Sequence, residues 1–165
     1  MIPRILLCLS LLAPVPASAL SCLPHDVAAT FQRVNDAEEV YVGVLGTLTF
    51  DESRLPVVDM EQQQNIPPET KIPARIKGHT LSAEGFVTAF ARDVTLNVQC
   101  AGPWCAKPQS GTLYLGFLRK ENGDYSLSIN PCGGDAFADP NRVMRETVRR
   151  CFAGGECEPA AEFPQ

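Results

Sequence analysis

Residues 112–132, TLYLGFLRKENGDYSLSINPC, read as two strands joined by a tight turn, and they set the fold class. Thr112 to Leu118 is apolar on both faces, the pattern of a strand covered from two sides. Asn122-Gly123 sits between Glu121 and Asp124, and both residues tolerate the positive φ that a two-residue hairpin demands. In the return strand Tyr125, Leu127 and Ile129 alternate with Ser126, Ser128 and Asn130, so one face is apolar and the other polar.

Working outward, the same period of two recurs upstream. Val94, Leu96, Val98 and Cys100 alternate with Thr95, Asn97 and Gln99, and Gly85 to Ala91 reads as the front of that same bent strand. Ile72, Ala74 and Ile76 face one way, while Lys71, Arg75 and Lys77 face the other. Val40 to Phe50 is rich in β-branched and aromatic residues and forms the first strand. Before it, Asp26 caps a short helix carrying Val27, Phe31 and Val34 and ending near Asn35. At the far end, Asp139 is read as the cap of a second helix, with Pro140 at its first position. Met144, Val148, Cys151 and Phe152 form its apolar stripe, Arg142, Arg145 and Arg149 its basic one, and Gly154-Gly155 ends it. Pro56, Pro67, Pro68 and the polar run 62–65 mark residues 51–70 as an excursion between strands. The expectation is a mainly β domain: five antiparallel strands in a small closed or partly open barrel, with a short N-terminal helix and a C-terminal helix.

The chain has 165 residues, 45% hydrophobic and 20% charged, with formal net charge −5. This composition excludes wholesale disorder, and the acidic balance argues against a nucleic-acid partner. Arg4, the apolar run from Ile5 to Ala13, Pro14, Pro16 and then Ala17-Ser18-Ala19 have the layout of a secretory signal peptide. The expected organisation is therefore a signal peptide at 1–19, one domain over 20–157 and a flexible tail at 158–165. No transmembrane span is expected in the processed chain, and its location is secreted or periplasmic. A second processing route is also legible. Ala19-Leu20-Ser21-Cys22 loosely resembles a bacterial lipobox, which would place a lipid anchor on Cys22.

Seven cysteines cannot all pair, but cleavage after Ala19 removes Cys8. Cys22, Cys100, Cys105, Cys132, Cys151 and Cys157 remain, an even set suited to three disulfides in an oxidising compartment. Six cysteines allow about 15 connectivities. The Gly102-Pro103 turn favours Cys100 with Cys105, and Gly154-Gly155 favours Cys151 with Cys157.

Leu20-Ser21-Cys22-Leu23-Pro24, the helix containing Phe31, and Val40-Tyr41-Val42-Gly43-Val44 resemble the opening of netrin-like (NTR) domains. The tissue inhibitors of metalloproteinases are the best-known members of that family. Leu113 to Leu118, the Asn122-Gly123 hairpin, Tyr125 to Ile129 and Cys132 before a helix follow the family's order. The resemblance implies a five-stranded OB-like barrel and a Cys22–Cys132 bridge. It also implies partner binding through Leu20, Ser21, Cys22, Leu23 and Pro24. Two features depart from the family: Leu20 stands where its first cysteine would be, and the stretch from Phe31 to Gly43 is longer.

Reactive motifs are sparse. Trp104-Cys105 resembles a thioredoxin-like site but lacks the second cysteine at Cys-x-x-Cys spacing, so a structural role is expected. His25 and His79 are the only histidines, with no spacing that forms a metal site, and no Gly-x-Ser-x-Gly elbow appears. Cys132-Gly133-Gly134 lacks the Lys-Ser/Thr of a phosphate loop. The two basic rows read as solvated faces. The expected function is an exported binding domain without catalytic residue, metal or cofactor, its partner another protein. The surface expected to bind, from the resemblance and the loop length, is the Leu20–Pro24 segment beside Cys132 and the 51–70 loop. The alternatives are a metalloproteinase inhibitor acting through Leu20, or an exported thiol-redox protein.

Overall fold

The computed structural model describes residues 20–160. The signal peptide expected at 1–19, and residues 161–165 of the expected tail, lie outside the described residues. Asp26 is extended, and its carboxylate accepts from the Ala28 and Ala29 N–H groups at 2.9 Å each. That cap starts α1 (Val27–Asn35), which buries Val27, Ala28, Thr30 and Val34. The strands follow as β1 (Val40–Phe50), β2 (Glu69–Ser82), β3 (Gly85–Ala101), β4 (Trp104–Cys105), β5 (Thr112–Glu121), β6 (Asp124–Ile129) and β7 (Ala136–Ala138). The last element is α2 (Arg142–Phe152).

β1 is long enough to serve two neighbours: Val44–Phe50 pairs with β2, and Val40–Leu48 pairs with β5. β2 pairs with β3, β3 with β6 and β6 with β5, so the strands form a hydrogen-bonded ring. Gly46 and Gly78 face each other where β1 crosses β2, and a Cβ at Gly78 would collide with the Leu45 carbonyl. The turn at Asn122 (φ 51°) and Gly123 (φ 93°) has the positive angles that the Asn-Gly pair predicts.

The expected set of five antiparallel strands needs two corrections. The structure adds two short strands, β4 and β7, and it pairs β3 with β6 in parallel. An odd ring cannot alternate direction throughout. With β2 antiparallel to β1, and β5 antiparallel to β1, both β3 and β6 run the same way as β1. The seam that joins them must then be parallel.

Two apolar clusters explain why β5 is hydrophobic on both faces. Tyr114 and Leu118 join Val44, Leu48, Ile72, Ile76, Leu96, Val98 and Leu127 inside the ring. Leu115 and Phe117 point outward and are covered by Val27 and Val34 of α1, Val148 of α2, and Phe137. At about 25 cal/mol per Å² of apolar surface, burying each such side chain contributes roughly 1.5–3 kcal/mol before entropy is counted.

Several local expectations also shift. The excursion spans 51–68, because the β2 ladder already begins with Glu69 opposite Gln99. Asn141, not Asp139, caps α2, accepting from the Met144 N–H at 2.9 Å. Asp139 is instead held at the end of β7, where its N–H donates to the Leu113 carbonyl and its φ is 44°. The chain must turn there before it can enter a helix. Phe152, at the helix end, leaves the stripe and is 49% exposed, while Val148 and Cys151 are buried. Past Cys157 the chain runs back along α1: Gln32 Nε2 donates to the Cys157 carbonyl, and the Ala160 N–H donates to Asp26.

Candidate functional site

Residues 20–26 have no regular secondary structure, yet three independent contacts hold them. Cys22 lies at disulfide distance from Cys132, with Cα atoms 5.4 Å apart. His25 Nε2 donates to the Gly134 carbonyl at 3.0 Å, which assigns the proton to that nitrogen. The imidazole also stacks on Phe137, with ring centroids 3.9 Å apart and planes within 6°.

The receiving corner is shaped for this. Asn130 Oδ1 accepts from the Cys132 N–H at 2.8 Å, closing the turn that presents Cys132. Gly133 has φ 110°, and a Cβ there would collide with the His25 ring. Only glycine meets both conditions. Asp135, nearly buried, accepts from Arg33 of α1 at 2.5 Å, which ties the helix to the same corner.

Burial pushes the His25 pKa down from its ordinary 6.5, against the opposing pull of the Gly134 carbonyl and the Asp135 and Asp26 carboxylates. The Tyr41 phenol is pushed up, first by burial and then by Asp135 and Glu39. Neutral His25 is therefore the form that packs at this corner.

Between the segment and the β3–β6 face lies an open cleft of about 680 Å³, lined by Ser21, Leu23, Arg33, Gln99, Ser128 and Asn130 among others. Of the residues expected to bind a partner, Ser21, Cys22, Leu23 and Pro24 line this cleft and Leu20 does not. Leu23 is 79% exposed and Leu20 37%. No residue of the 51–68 excursion lines the cleft, so the structure does not join the two expected parts of the binding surface. Sequence reasoning did not single out Arg33, Asn130 or Asp135, and gave His25 no role here. The usable signal was the Gly133-Gly134 doublet, which marks a close approach by another part of the chain.

The other cysteines are placed locally. Cys100 and Cys105 are directly opposite on β3 and β4, with Cα atoms 4.0 Å apart. Cys151 and Cys157 are 4.7 Å apart across the end of α2. The three pairs are compatible with a disulfide-stabilised domain. His79 is exposed on β2, opposite Leu45 and Ala89, and does not line the cleft beside His25. The basic rows carry counter-charges: Arg75 pairs with Asp93 at 2.6 Å, Lys71 with Glu69 at 3.5 Å, and Arg149 with Glu146 at 3.1 Å.

Among the described residues no group of three or more His, Cys, Asp or Glu side chains is placed to hold a metal ion. No helix among them is long and apolar enough to cross a membrane. Compared with known proteins, the chain matches no family model, no curated protein and no solved structure.

Proposed function

We propose that this chain is an exported, non-catalytic binding module related to the netrin-like domains, with an OB-like barrel as its frame. The ring order β1-β2-β3-β6-β5 and its return to β1 support the barrel reading. The observation that carries the binding reading is the N-terminal segment. It is tied at Cys22 and His25, yet presents Leu23 almost fully to solvent beside a cleft. An exposed apolar side chain on a restrained segment loses little entropy when a partner covers it. The partner is another protein, engaged through Leu20 to Pro24.

Two measurements test this. Intact mass with non-reducing peptide mapping of the exported protein should give an N-terminus at Leu20 and the three cysteine pairs. A photo-crosslinker at position 23 should then trap one protein species that a crosslinker at Val143, exposed on α2, does not. Retention of residues 1–19, or identical products from both positions, overturns the proposal.

A second reading is favoured by the position of Leu20, two residues before the tether and partly exposed. A free amine there would serve as a ligand to a protease metal. On that reading acetylating the amine abolishes inhibition of a metalloprotease, and no inhibition by the unmodified protein rules it out.

A further inference from the structure

The His25 ring is a wall shared by two clefts. It lines the cleft of about 680 Å³ beside Leu23 and also a second one of about 520 Å³. Tyr114, Ile129, Ala136, Phe137 and Met144 make the second cleft largely apolar. Phe137 is only 4% exposed, with the imidazole laid over its face. Removing the ring would join the two clefts and uncover that face.

The strap that carries this ring is short and fixed at both ends. Before it, Cys22 lies at disulfide distance from Cys132; after it, α1 begins with Val27 and Ala28, both buried. Neither anchor gains or loses a proton near neutral pH. Between them, the hydrogen bond and the ring stack that cross to the corner both belong to His25. Histidine is the side chain whose charge ordinarily changes between about pH 5 and 8. The seated neutral ring uses its Nε2–H for the Gly134 carbonyl, while Nδ1 packs against Gly133. A proton gained at Nδ1 therefore meets the Gly133 carbon and no acceptor among the described residues.

The charges around the ring are largely spent. Burial opposes a cation there most; the Gly134 carbonyl and the Asp135 and Asp26 carboxylates favour it, and Arg33 opposes it. Asp135 is already paired with Arg33, and Asp26 already accepts from the Ala28 and Ala29 N–H groups. On the other side of the ring, Lys107 lines the second cleft and brings a further positive charge. Tyr114 there has its hydroxyl accepting from the Gln109 N–H, and α2 contributes only Met144. A seated imidazolium would keep the attraction of the Phe137 face but lose water on that side. The released ring holds a proton more tightly than the seated one.

We propose that His25 is an acid-released latch: on protonation its ring leaves Phe137, Leu23 to His25 move out between their two anchors, and the two clefts become one. The proton shifts the latch by the ratio of its affinities for the released and the seated ring, and by no more. The tie at Cys22 keeps the strap at the corner, so raising the pH reseats it. The device goes beyond the partner-protein reading and does not require a partner at Leu23.

The test follows the full processed protein by NMR from about pH 8 down to pH 4. The chain has two histidines, and the His25 signal is the one lost in His25→Phe. It should titrate below its ordinary 6.5. Through that midpoint the order parameters of the Leu23 and His25 amides should fall from about 0.85 to below about 0.6, while those of Val44 and Leu48 in β1 stay high. His25→Phe keeps a ring on Phe137 with no proton to gain, so its strap should stay ordered across the range. Phe137→Leu removes the seat, so its strap should be mobile at both ends of the range; this variant carries the test if His25→Phe does not fold. Four results overturn the proposal: a midpoint at or above 6.5, a strap equally ordered on both sides of it, an acid response that persists in His25→Phe, or a strap ordered at neutral pH in Phe137→Leu.

Discussion

The stretches 20–26 and 51–68 both run without helix or strand beyond single turns, but they are held in opposite ways. The first is fastened to distant parts of the chain: Cys22 to Cys132, His25 to Gly134 and Phe137. The second is fastened mainly to itself. Asp51 accepts from the Ser53 N–H and hydroxyl, Asp59 from the Glu61 N–H, and Gln62 from Asn65. Its longer reaches are the Glu52 carboxylate, which accepts from the Ser110 N–H at 2.6 Å, Leu55, which rests on the core, and at its very end the Pro68 carbonyl, which accepts from the Cys100 N–H at 2.9 Å. Irregular backbone is therefore not one category here. A segment tied across the fold can present a fixed surface, whereas one closed on itself can be altered without disturbing its surroundings.

The largest expected effect comes from cutting the long-range tie. Cys22 and Cys132 are separated by 110 residues, and in the chain-entropy model such a closure is worth on the order of 4–5 kcal/mol. Replacing both with serine should lower the urea midpoint by the corresponding amount. The same change at Cys100 and Cys105, separated by 5 residues, should cost clearly less.

Gly133→Ala comes next. It puts a side chain at a φ of 110° and drives out the His25 ring, for an expected loss of about 1–3 kcal/mol. An NMR titration should show the His25 pKa moving up toward its ordinary value as the ring becomes solvated. An unchanged pKa would mean that the stack on Phe137 does not hold this segment.

A smaller effect is expected from pH. Burial lowers the folded-state pKa of His25, so the unfolded chain binds the proton more tightly. Its contribution to stability is complete above about pH 6.5 and is lost as pH falls through the folded-state value. Thermal melts should therefore show a decline below that pH that shrinks in His25→Gln.

The smallest effect belongs to the excursion. Replacing residues 57–66 with a short Gly-Ser link should change stability by less than about 1 kcal/mol, because closure entropy varies slowly with length. A larger loss would place the excursion in the same class as the N-terminal segment and erase the distinction.

The elements visible in the sequence are those whose cause is local. Asp26 caps α1 because its carboxylate reaches amides two and three residues ahead. Val40–Phe50 and the bent strand Gly85–Ala101 follow from side-chain type and alternation. Asn122-Gly123 turns because both residues accept positive φ. The Asp139 cap failed because a long-range bond from its N–H to Leu113 competed with helix entry. β7, three residues long, exists only because β5 offers it an edge at Tyr114–Gly116.

The candidate site was partly visible. Leu20–Pro24 was marked by its resemblance to the opening of netrin-like domains, and the Gly102-Pro103 and Gly154-Gly155 turns marked the two local cysteine pairs. The perch for His25 depends on Gly134, 109 residues away, and carried no local mark beyond two glycines. The alternation Thr95, Asn97, Gln99 and Ser126, Ser128, Asn130 was legible in each strand, but not that the two rows adjoin.

By itself, then, the sequence determined the alternation of strands, the hairpin and the first helix cap. These depend on torsions and spacings within a few residues. Only the tertiary structure decided that β3 meets β6 in parallel, that His25 stacks on Phe137, and that Arg119 and Asn97 share one cleft. Closing a ring with an odd number of strands leaves one seam that no hairpin makes, and no local preference encodes which residues it brings together.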